Sequence, residues 1–272
     1  MAAGAGVLFM AGAVVGAVIL FSGAYNVSAI PAHSRPVFWL LDQGMRSSVR
    51  RHANGIDVPD LNDPQLLKMG AHCYHVNCAQ CHGAPGISPD DHAMGLQPVP
   101  SSLVQTGREW PPEQIYWVTR NGIRMAGMPA WAYRLDDRTL WAIVAFVHRQ
   151  LPGLTVPEYR RLIRDVSMAS CPRPAGGVRE PDPNRGLIAI RQYGCHACHR
   201  IPGIVGPDIH VGPALSSFAS RAVIAGVLPN TRENLIRWLM DPQSVSPRTM
   251  MPDLRVTPEH AADMAAYLET ME

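Results

Sequence analysis

The chain has 272 residues, of which 47% are hydrophobic and 17% are charged, and its formal net charge is +2 at pH 7. This length suits two modest domains better than one. No basic run with interleaved aromatic residues occurs, so nucleic-acid binding is not expected. Five Phe and seven Tyr are few for the core of so long a chain, which leaves interior volume for prosthetic groups.

The N-terminal segment is strongly apolar. Residues 1–31 carry no charged side chain, and the stretch 2–21 consists of Ala, Gly, Val, Leu, Ile, Phe and Met. A run of about 20 apolar residues can span a bilayer core, whereas a signal peptide has a positive n-region and a shorter apolar run. Small residues at 27–29 would suit cleavage, so a signal peptide remains the alternative. The pattern favours a retained single-pass anchor, and residues 1–59 are predicted to be a transmembrane anchor and a juxtamembrane helix.

The juxtamembrane helix is predicted from about residue 36 to residue 53. Apolar residues at 37–41 are followed by Arg46, Arg50 and Arg51, and cations beside an apolar face can bind lipid phosphates. A solvated linker helix explains the same pattern equally well, so both interpretations stay open.

Two five-residue motifs carry the strongest chemical signal. Both read C-x-x-C-H, the attachment signature of c-type haem, at 78–82 and 195–199. Two thiols one helical turn apart can each add to a vinyl group of the same porphyrin, and the histidine that follows supplies an axial imidazole to the iron. Zinc ribbons separate their cysteine pairs by roughly 15–20 residues, far fewer than lie between these pairs. The motifs therefore predict two covalently attached haems c, held by Cys78, Cys81 and His82 in one case and by Cys195, Cys198 and His199 in the other.

An internal repeat covers the rest of the chain. In each copy a glycine precedes a large residue by four positions, Gly70 before Tyr74 and Gly186 before Ile190. A spacing of four places both residues on one helix face, and glycine lets a second helix approach the backbone closely. The repeat predicts that each copy contains a tight crossing of two helices.

The repeat also divides the chain into domains. Each copy is predicted to end in a helix, the first over about 137–150 and the second introduced by Thr257 as N-cap and Pro258 at the first helical position. The segment between the copies is rich in Pro and Gly, which is typical of an irregular linker. The predicted boundaries are 60–152 for the first domain, 153–185 for the linker and 186–272 for the second domain.

A second axial ligand is expected in each copy. Met-Pro occurs downstream of each haem motif, at Met128 and at Met251. A thioether is a neutral ligand that raises the reduction potential, and the proline restricts the ligand's backbone to extended conformations. Met125 and Met250 are the competing candidates. Ligation of an iron by a second histidine is the remaining alternative, with candidates His72, His75, His92 and His210.

Two cysteines remain once the haem motifs are set aside. Spare cysteines in an oxidising compartment often pair, so a Cys73–Cys171 disulfide is possible. Cys73 lies on the helix that enters the first haem motif, and this position could prevent the pairing.

Both copies resemble class I cytochromes c. The resemblance lies in the two C-x-x-C-H motifs, in Asn121-Gly122-Ile123 and Gly127-Met128-Pro129-Ala130-Trp131 of the first copy, and in Val211-Gly212-Pro213-Ala214-Leu215 and Met250-Met251-Pro252 of the second. With the anchor, the chain resembles membrane-bound di-haem cytochromes c of bacterial respiratory chains. The resemblance implies an all-α fold, with an N-terminal transmembrane helix followed by two tandem class I cytochrome c domains.

The resemblance also implies a partner for each proximal histidine. In this family a proline carbonyl accepts the second ring N–H of that histidine, which raises the basicity of the imidazole. Pro213 fits this role in the second copy. The corresponding loop of the first copy is longer, and Pro98 and Pro100 both remain possible.

Haems with histidine and methionine on both iron atoms would have no open position, which predicts electron transfer without substrate chemistry at iron. The resemblance implies a carrier on the periplasmic side of the cytoplasmic membrane, contacting that membrane and redox proteins. A quinol-oxidising complex is expected upstream and a haem-copper terminal oxidase downstream, and the chain could be a subunit of such an oxidoreductase complex. The alternatives are the cytochrome subunit of a periplasmic dehydrogenase and, less favoured, a di-haem peroxidase.

Overall fold

The computed structural model of the chain describes residues 2–23, 25–164, 171–172 and 179–272. Its architecture is helical, with one antiparallel pair of two-residue strands, β1 (Val223–Ile224) and β2 (Leu228–Pro229). The α-helices are α1 (Ala2–Ser22), α2 (Arg35–Ala53), α3 (Pro64–Asn77), α4 (Ala79–His82), α5 (Leu103–Glu109), α6 (Pro112–Asn121), α7 (Asp137–Ala145), α8 (Val156–Leu162), α9 (Pro183–Gln192), α10 (Arg232–Met240), α11 (Pro242–Val245) and α12 (Pro258–Leu268). A π-helical turn (Phe146–Gln150) extends α7, and 3₁₀ turns cover Trp131–Tyr133, Leu151–Gly153 and Cys195–Ala197.

The N-terminal segment forms α1, but the predicted transmembrane helix is wrong. Within the described ranges, no helix combines the length and the apolar character needed to cross a membrane. About half of the α1 residues are Ala or Gly, whose side chains remove little apolar area from water. A count of apolar residues treats these small side chains as equal to large ones, although they contribute less apolar area.

Helix α2 coincides with the predicted juxtamembrane helix, and its C-terminal end packs on the first domain. Val49 and Ala53 are buried, and the His52 ring stacks on Trp117 of α6 with centroids 5.4 Å apart. The apolar side chains at 37–41 are exposed. This packing favours the linker-helix interpretation for the C-terminal half of α2.

The first predicted helix crossing is present. Helix α3 begins after Asp63, whose side chain accepts a hydrogen bond from the Gln65 N–H, and it crosses α7 at Gly70. A Cβ at Gly70 would overlap the carbonyl oxygen of Ala142, so only glycine permits this approach. One turn further along α3, the Tyr74 ring packs on Phe146 with centroids 5.3 Å apart.

The second copy repeats this crossing with α9 and α12. A Cβ at Gly186 would overlap the carbonyl oxygen of Asp263 and would lie 2.9 Å from the Cβ of Tyr267. Thr257 is the N-cap of α12, as predicted, and its side chain accepts a hydrogen bond from the His260 N–H. In each copy, therefore, a glycine followed at the fourth position by a large residue positions the helix that precedes the haem motif against a second helix.

Two groups of buried apolar side chains lie along the chain. The first core cluster contains Tyr74, Leu140, Ile143, Phe146 and Tyr159, and the second contains Ile190, Leu235, Trp238, Met264 and Leu268. Complete burial of a large apolar side chain contributes about 1.5–3 kcal/mol relative to exposure, so each cluster can stabilise its own copy. The predicted boundaries at 60, 153 and 186 stay predictions.

The Cys73–Cys171 disulfide is formed. The two Cα atoms lie 5.4 Å apart, and the bridge joins α3 to the segment after α8 across 98 positions of sequence. Cys73 is fully buried in the first core cluster, and its place on α3 does not prevent pairing. Of the predicted linker, residues 165–170 and 173–178 lie outside the described residues.

Candidate haem-attachment sites

The first C-x-x-C-H motif forms one helical turn. Cys78 ends α3, and its carbonyl oxygen accepts hydrogen bonds from the Cys81 N–H at 3.0 Å and the His82 N–H at 2.9 Å. The turn ends at Gly83, whose φ is +65° and whose carbonyl accepts a hydrogen bond from the Tyr74 hydroxyl at 2.6 Å. The two thiols are thus one turn apart, as attachment to a single porphyrin requires.

The His82 ring is held by the backbone. Its Nδ1–H donates to the carbonyl oxygen of Ser101 at 2.7 Å, which fixes the tautomer and leaves the Nε2 lone pair free to bind a metal. Burial lowers the pKa of His82, and the bond to Ser101 opposes that effect. The imidazole is therefore favoured in the neutral form that ligates iron.

The acceptor in the first copy differs from the prediction. Pro98 and Pro100 were the expected acceptors, yet the bond goes to Ser101, the residue directly after Pro100. A backbone carbonyl is present on every residue, so the path of the loop decides which one reaches the ring, and residue type does not. Sequence reasoning sought a proline and missed Ser101 for this reason.

The second motif has a related local geometry. Gly194 adopts a left-handed conformation (φ +72°), and a 3₁₀ turn follows it. The Cys195 carbonyl accepts hydrogen bonds from the Cys198 N–H at 3.2 Å and the His199 N–H at 3.0 Å. The His199 Nδ1–H donates to the Pro213 carbonyl at 2.8 Å, the contact expected from the resemblance.

Gly212 makes room for the His199 ring. A Cβ at Gly212 would lie 2.5 Å from Cε1 and 2.7 Å from Nδ1 of His199, and the Gly212 N–H donates to the Cys198 carbonyl at 2.7 Å. The loop that supplies Pro213 is therefore hydrogen-bonded to the motif at two points, the Cys198 carbonyl and the His199 ring. Gly212 belongs to a motif of the sequence, but no side-chain signal identifies its role beside the His199 ring.

The motif cysteines lie in surroundings that disfavour charge. Burial is the largest cause that raises the pKa of Cys78 to about 12 and that of Cys195 to about 11. A neutral thioether suits such surroundings better than a zinc-bound thiolate. Among the residues that the structure describes, no group of three or more His, Cys, Asp or Glu side chains could hold a metal ion.

The structure separates the competing methionines by exposure. Met125 and Met250 are 91% and 95% exposed, whereas Met128 is half-buried and Met251 packs on the second core cluster. The solvent-directed side chains of Met125 and Met250 make them poor ligands for an enclosed iron. Met128 and Met251 remain the candidates, and their ligand role stays a prediction.

The backbone holds both Met-Pro segments in place. The Ile123 N–H donates to the Met128 carbonyl at 3.2 Å, and a Cβ at Gly122 would lie 2.6 Å from that carbonyl oxygen. In the second copy, the Met251 carbonyl accepts a hydrogen bond from Nε2 of Gln243 at 2.5 Å. Each candidate sulfur is thus carried by a fixed loop.

The alternative histidine ligands have other contacts. His72 Nε2 lies 2.9 Å from the Leu162 carbonyl oxygen, so that nitrogen carries a proton and has no lone pair for iron. His75 lies 3.2 Å from the Tyr159 hydroxyl, and His92 is exposed. His210 is exposed beside Asp208. The backbone contact of His72 uses Nε2, whereas His82 and His199 are held through Nδ1 and keep Nε2 for iron.

Comparison with known proteins gives matches of limited length. The family described as cytochrome c oxidase, cbb3-type, subunit III matches residues 65–147. Cytochrome c oxidase subunit 2 of Alkalihalophilus pseudofirmus is 34% identical over 90 residues, which are 33% of this chain and 25% of that protein. The same subunit of a Bacillus species is 32% identical over 88 residues, again 25% of its length. Cytochrome c6 of Tetradesmus obliquus is 33% identical over 89 residues, which are 32% of this chain and 93% of that protein. No solved structure gives a significant match.

The fold and the sites define a c-type haem protein, because helices cross over a C-x-x-C-H turn whose histidine keeps a free Nε2. The match to cytochrome c6 spans nearly that whole protein, and the chain accordingly belongs to the cytochrome c family. Membership implies covalently bound haem c and a role in electron transfer. The chain spans only a quarter of the length of the two oxidase subunits it matches.

Proposed function

We propose that the chain is a di-haem c-type cytochrome that transfers single electrons in a respiratory chain. The observation that carries this proposal is the repeated ring geometry, in which His82 and His199 each donate Nδ1–H to a backbone carbonyl, at 2.7 and 2.8 Å. Two unrelated histidines would not be expected to share this contact immediately after a C-x-x-C pair. The second copy therefore has the features needed to hold its own haem.

Each haem would be bound by two cysteines, one histidine and one methionine. Cys78 and Cys81 would hold one haem, and Cys195 and Cys198 would hold the other. His82 and His199, oriented by Ser101 and Pro213, would bind the iron atoms together with Met128 and Met251. Each haem would supply one reversible electron. Iron held by histidine and methionine side chains would leave no site for substrate, which supports outer-sphere electron transfer.

We propose a haem-copper oxidase as the electron acceptor. The support is that residues 65–147 match an oxidase subunit family and that two of the curated relatives are oxidase subunits. A quinol-oxidising complex as donor is a proposal that follows from the respiratory role. The dehydrogenase and peroxidase alternatives gain no specific support from the described residues.

We also propose that the haem domains work outside the cytoplasm. The Cys73–Cys171 bridge supports this location, because disulfides persist in oxidising compartments such as the periplasm and are rare in the cytosol.

The two methionine assignments provide the test. Met128→Ala and Met251→Ala should each remove the sulfur-to-iron charge-transfer band of one ferric haem and lower the potential of that haem. Met125→Ala and Met250→Ala are matched controls, because these side chains are exposed, and they should leave both bands in place. A band lost in a control variant would assign that methionine as ligand, and retention of both bands in all four variants would refute methionine ligation.

A further inference from the structure

A compact contact joins the first copy to the second. Tyr133 and Arg134 follow the Met128 loop and contact residues of the second copy. The Tyr133 ring lies 5.2 Å from the His260 ring between centroids, and the Arg134 guanidinium lies 4.2 Å from the centre of the Tyr193 ring. We call Tyr133, Arg134, Tyr193 and His260 the interdomain cluster.

The partners in the second copy are buried and bonded to each other. Tyr193 and His260 are 5% and 8% exposed, and the Tyr193 hydroxyl lies 3.1 Å from His260 Nδ1. Arg134 also donates to the carbonyl oxygen of Gln192 at 3.1 Å. The tilted pair of Tyr133 and His260 rings, the Arg134 cation over the Tyr193 face and the backbone hydrogen bond of Arg134 are directional contacts, so the cluster specifies how the copies are oriented.

Three members of the cluster lie between the two candidate haem sites along the chain, and His260 follows the second site on α12. Tyr133 is five residues after Met128, the candidate ligand of the first site. Tyr193 is two residues before Cys195, which attaches the second haem. The packed rings therefore connect the loop over one site to the turn that holds the other.

A charged network secures the same end of α12. Asp263 is 1% exposed and accepts hydrogen bonds from Arg179, from Arg185 and from the Asp182 N–H. Arg179 also pairs with Glu259, next to His260. These contacts hold the turn of α12 that carries His260, so His260 is a fixed partner for Tyr133.

We propose that Tyr133 and Arg134 are positioning residues that hold the two haem sites in one fixed relation, so that single electrons pass between them within the chain. This inference rests on the proposed di-haem function. One iron is oxidised from ferrous to ferric as the other is reduced from ferric to ferrous, and no proton or other group is transferred. Domains joined only by a flexible linker would move relative to each other, and electron tunnelling falls steeply as its path lengthens.

The test times electron transfer between the two sites in the full chain. Met251→His leaves a sulfur-to-iron band on the first haem alone. Val205, which is 95% exposed and lies beside the cleft around His199, is changed to Cys and labelled with a photosensitiser. A flash then delivers an electron to the second haem, and bleaching of the band reports its arrival at the first.

In this background, Tyr133→Ala and Arg134→Ala should slow the bleaching by roughly tenfold or more, since small displacements of reacting groups are costly in rate. Tyr133→Phe keeps the ring and should keep the rate. Arg124→Ala removes the same charge from an exposed position in the Met128 loop and should also keep the rate. Small-angle scattering of the same variants before labelling should show a larger radius of gyration for the two alanine variants alone.

Unchanged bleaching in both alanine variants would overturn the inference, whether or not scattering shows expansion. Slower bleaching in Arg124→Ala as well would also overturn it, because the effect would then come from charge alone. A starting protein with one haem would refute the di-haem function instead, and haem analysis before the flash would show this.

Discussion

The Gly212→Ala substitution tests the geometry of the second site. The new Cβ would lie 2.5 Å from Cε1 and 2.7 Å from Nδ1 of His199, closer than carbon and nitrogen atoms approach without displacement. The ring cannot turn away freely, because Nδ1 is bonded to Pro213 at 2.8 Å. Overpacking of this kind costs about 1–3 kcal/mol, equivalent to a loss of about 5- to 150-fold in binding.

Covalent attachment does not involve Gly212, so the haem should remain on Cys195 and Cys198 while its bond to His199 weakens. The expected result is an unchanged haem content with a high-spin ferric signal from one haem, measured by optical and electron paramagnetic resonance spectra. Gly206→Ala is the matched control, because its Cβ would lie 3.4 Å from Cδ2 of His196, an ordinary contact. Identical low-spin spectra for the two variants would show that Gly212 does not determine the position of His199.

Two further predictions concern stability. Reduction of the Cys73–Cys171 bridge should lower the free energy of unfolding by up to about 4–5 kcal/mol on the loop-entropy argument, since the bridge spans 98 positions. Denaturant melts with and without a thiol reductant measure this, and a double serine variant that does not respond to the reductant is the control. His260 has its pKa lowered below the ordinary 6.5, chiefly by burial, so the unfolded chain binds the proton more readily. The stability it contributes should be complete above about pH 6.5 and should be lost as the pH falls towards the folded-state pKa. His260→Gln should flatten this part of the profile, and a profile parallel to that of the wild type would contradict the assignment.

The helix crossings could be predicted from sequence because they depend on local rules. Gly70 and Gly186 are each followed at the fourth position by a large residue, and that spacing alone places both on one helix face. The N-cap at Thr257 follows from side-chain chemistry in the same way. These features required no knowledge of the rest of the chain.

Other features depend on the path of a loop, which the sequence does not encode locally. The acceptor for His82 is a backbone carbonyl, so no side chain identified Ser101. The choice between Met250 and Met251 rests on which side chain points inward, a difference of one position. The transmembrane prediction failed for another reason. It relied on the number of consecutive apolar residues, although about half of them are Ala or Gly, whose side chains have little apolar area.

The interdomain cluster also escaped sequence reasoning. Tyr133 and Arg134 follow a recognisable Met-Pro motif, but their contacts with Tyr193 and His260 join positions far apart in sequence. Only the folded arrangement shows that these residues meet.

The number of covalent haems per chain, obtained from the intact mass of the protein, tests the di-haem function most directly. Two haems are expected in the wild-type chain and one in the Cys195→Ala, Cys198→Ala double variant, with the histidine–methionine spectrum of the first site retained. A wild-type chain with a single haem, or a double variant that keeps two, would contradict the di-haem function.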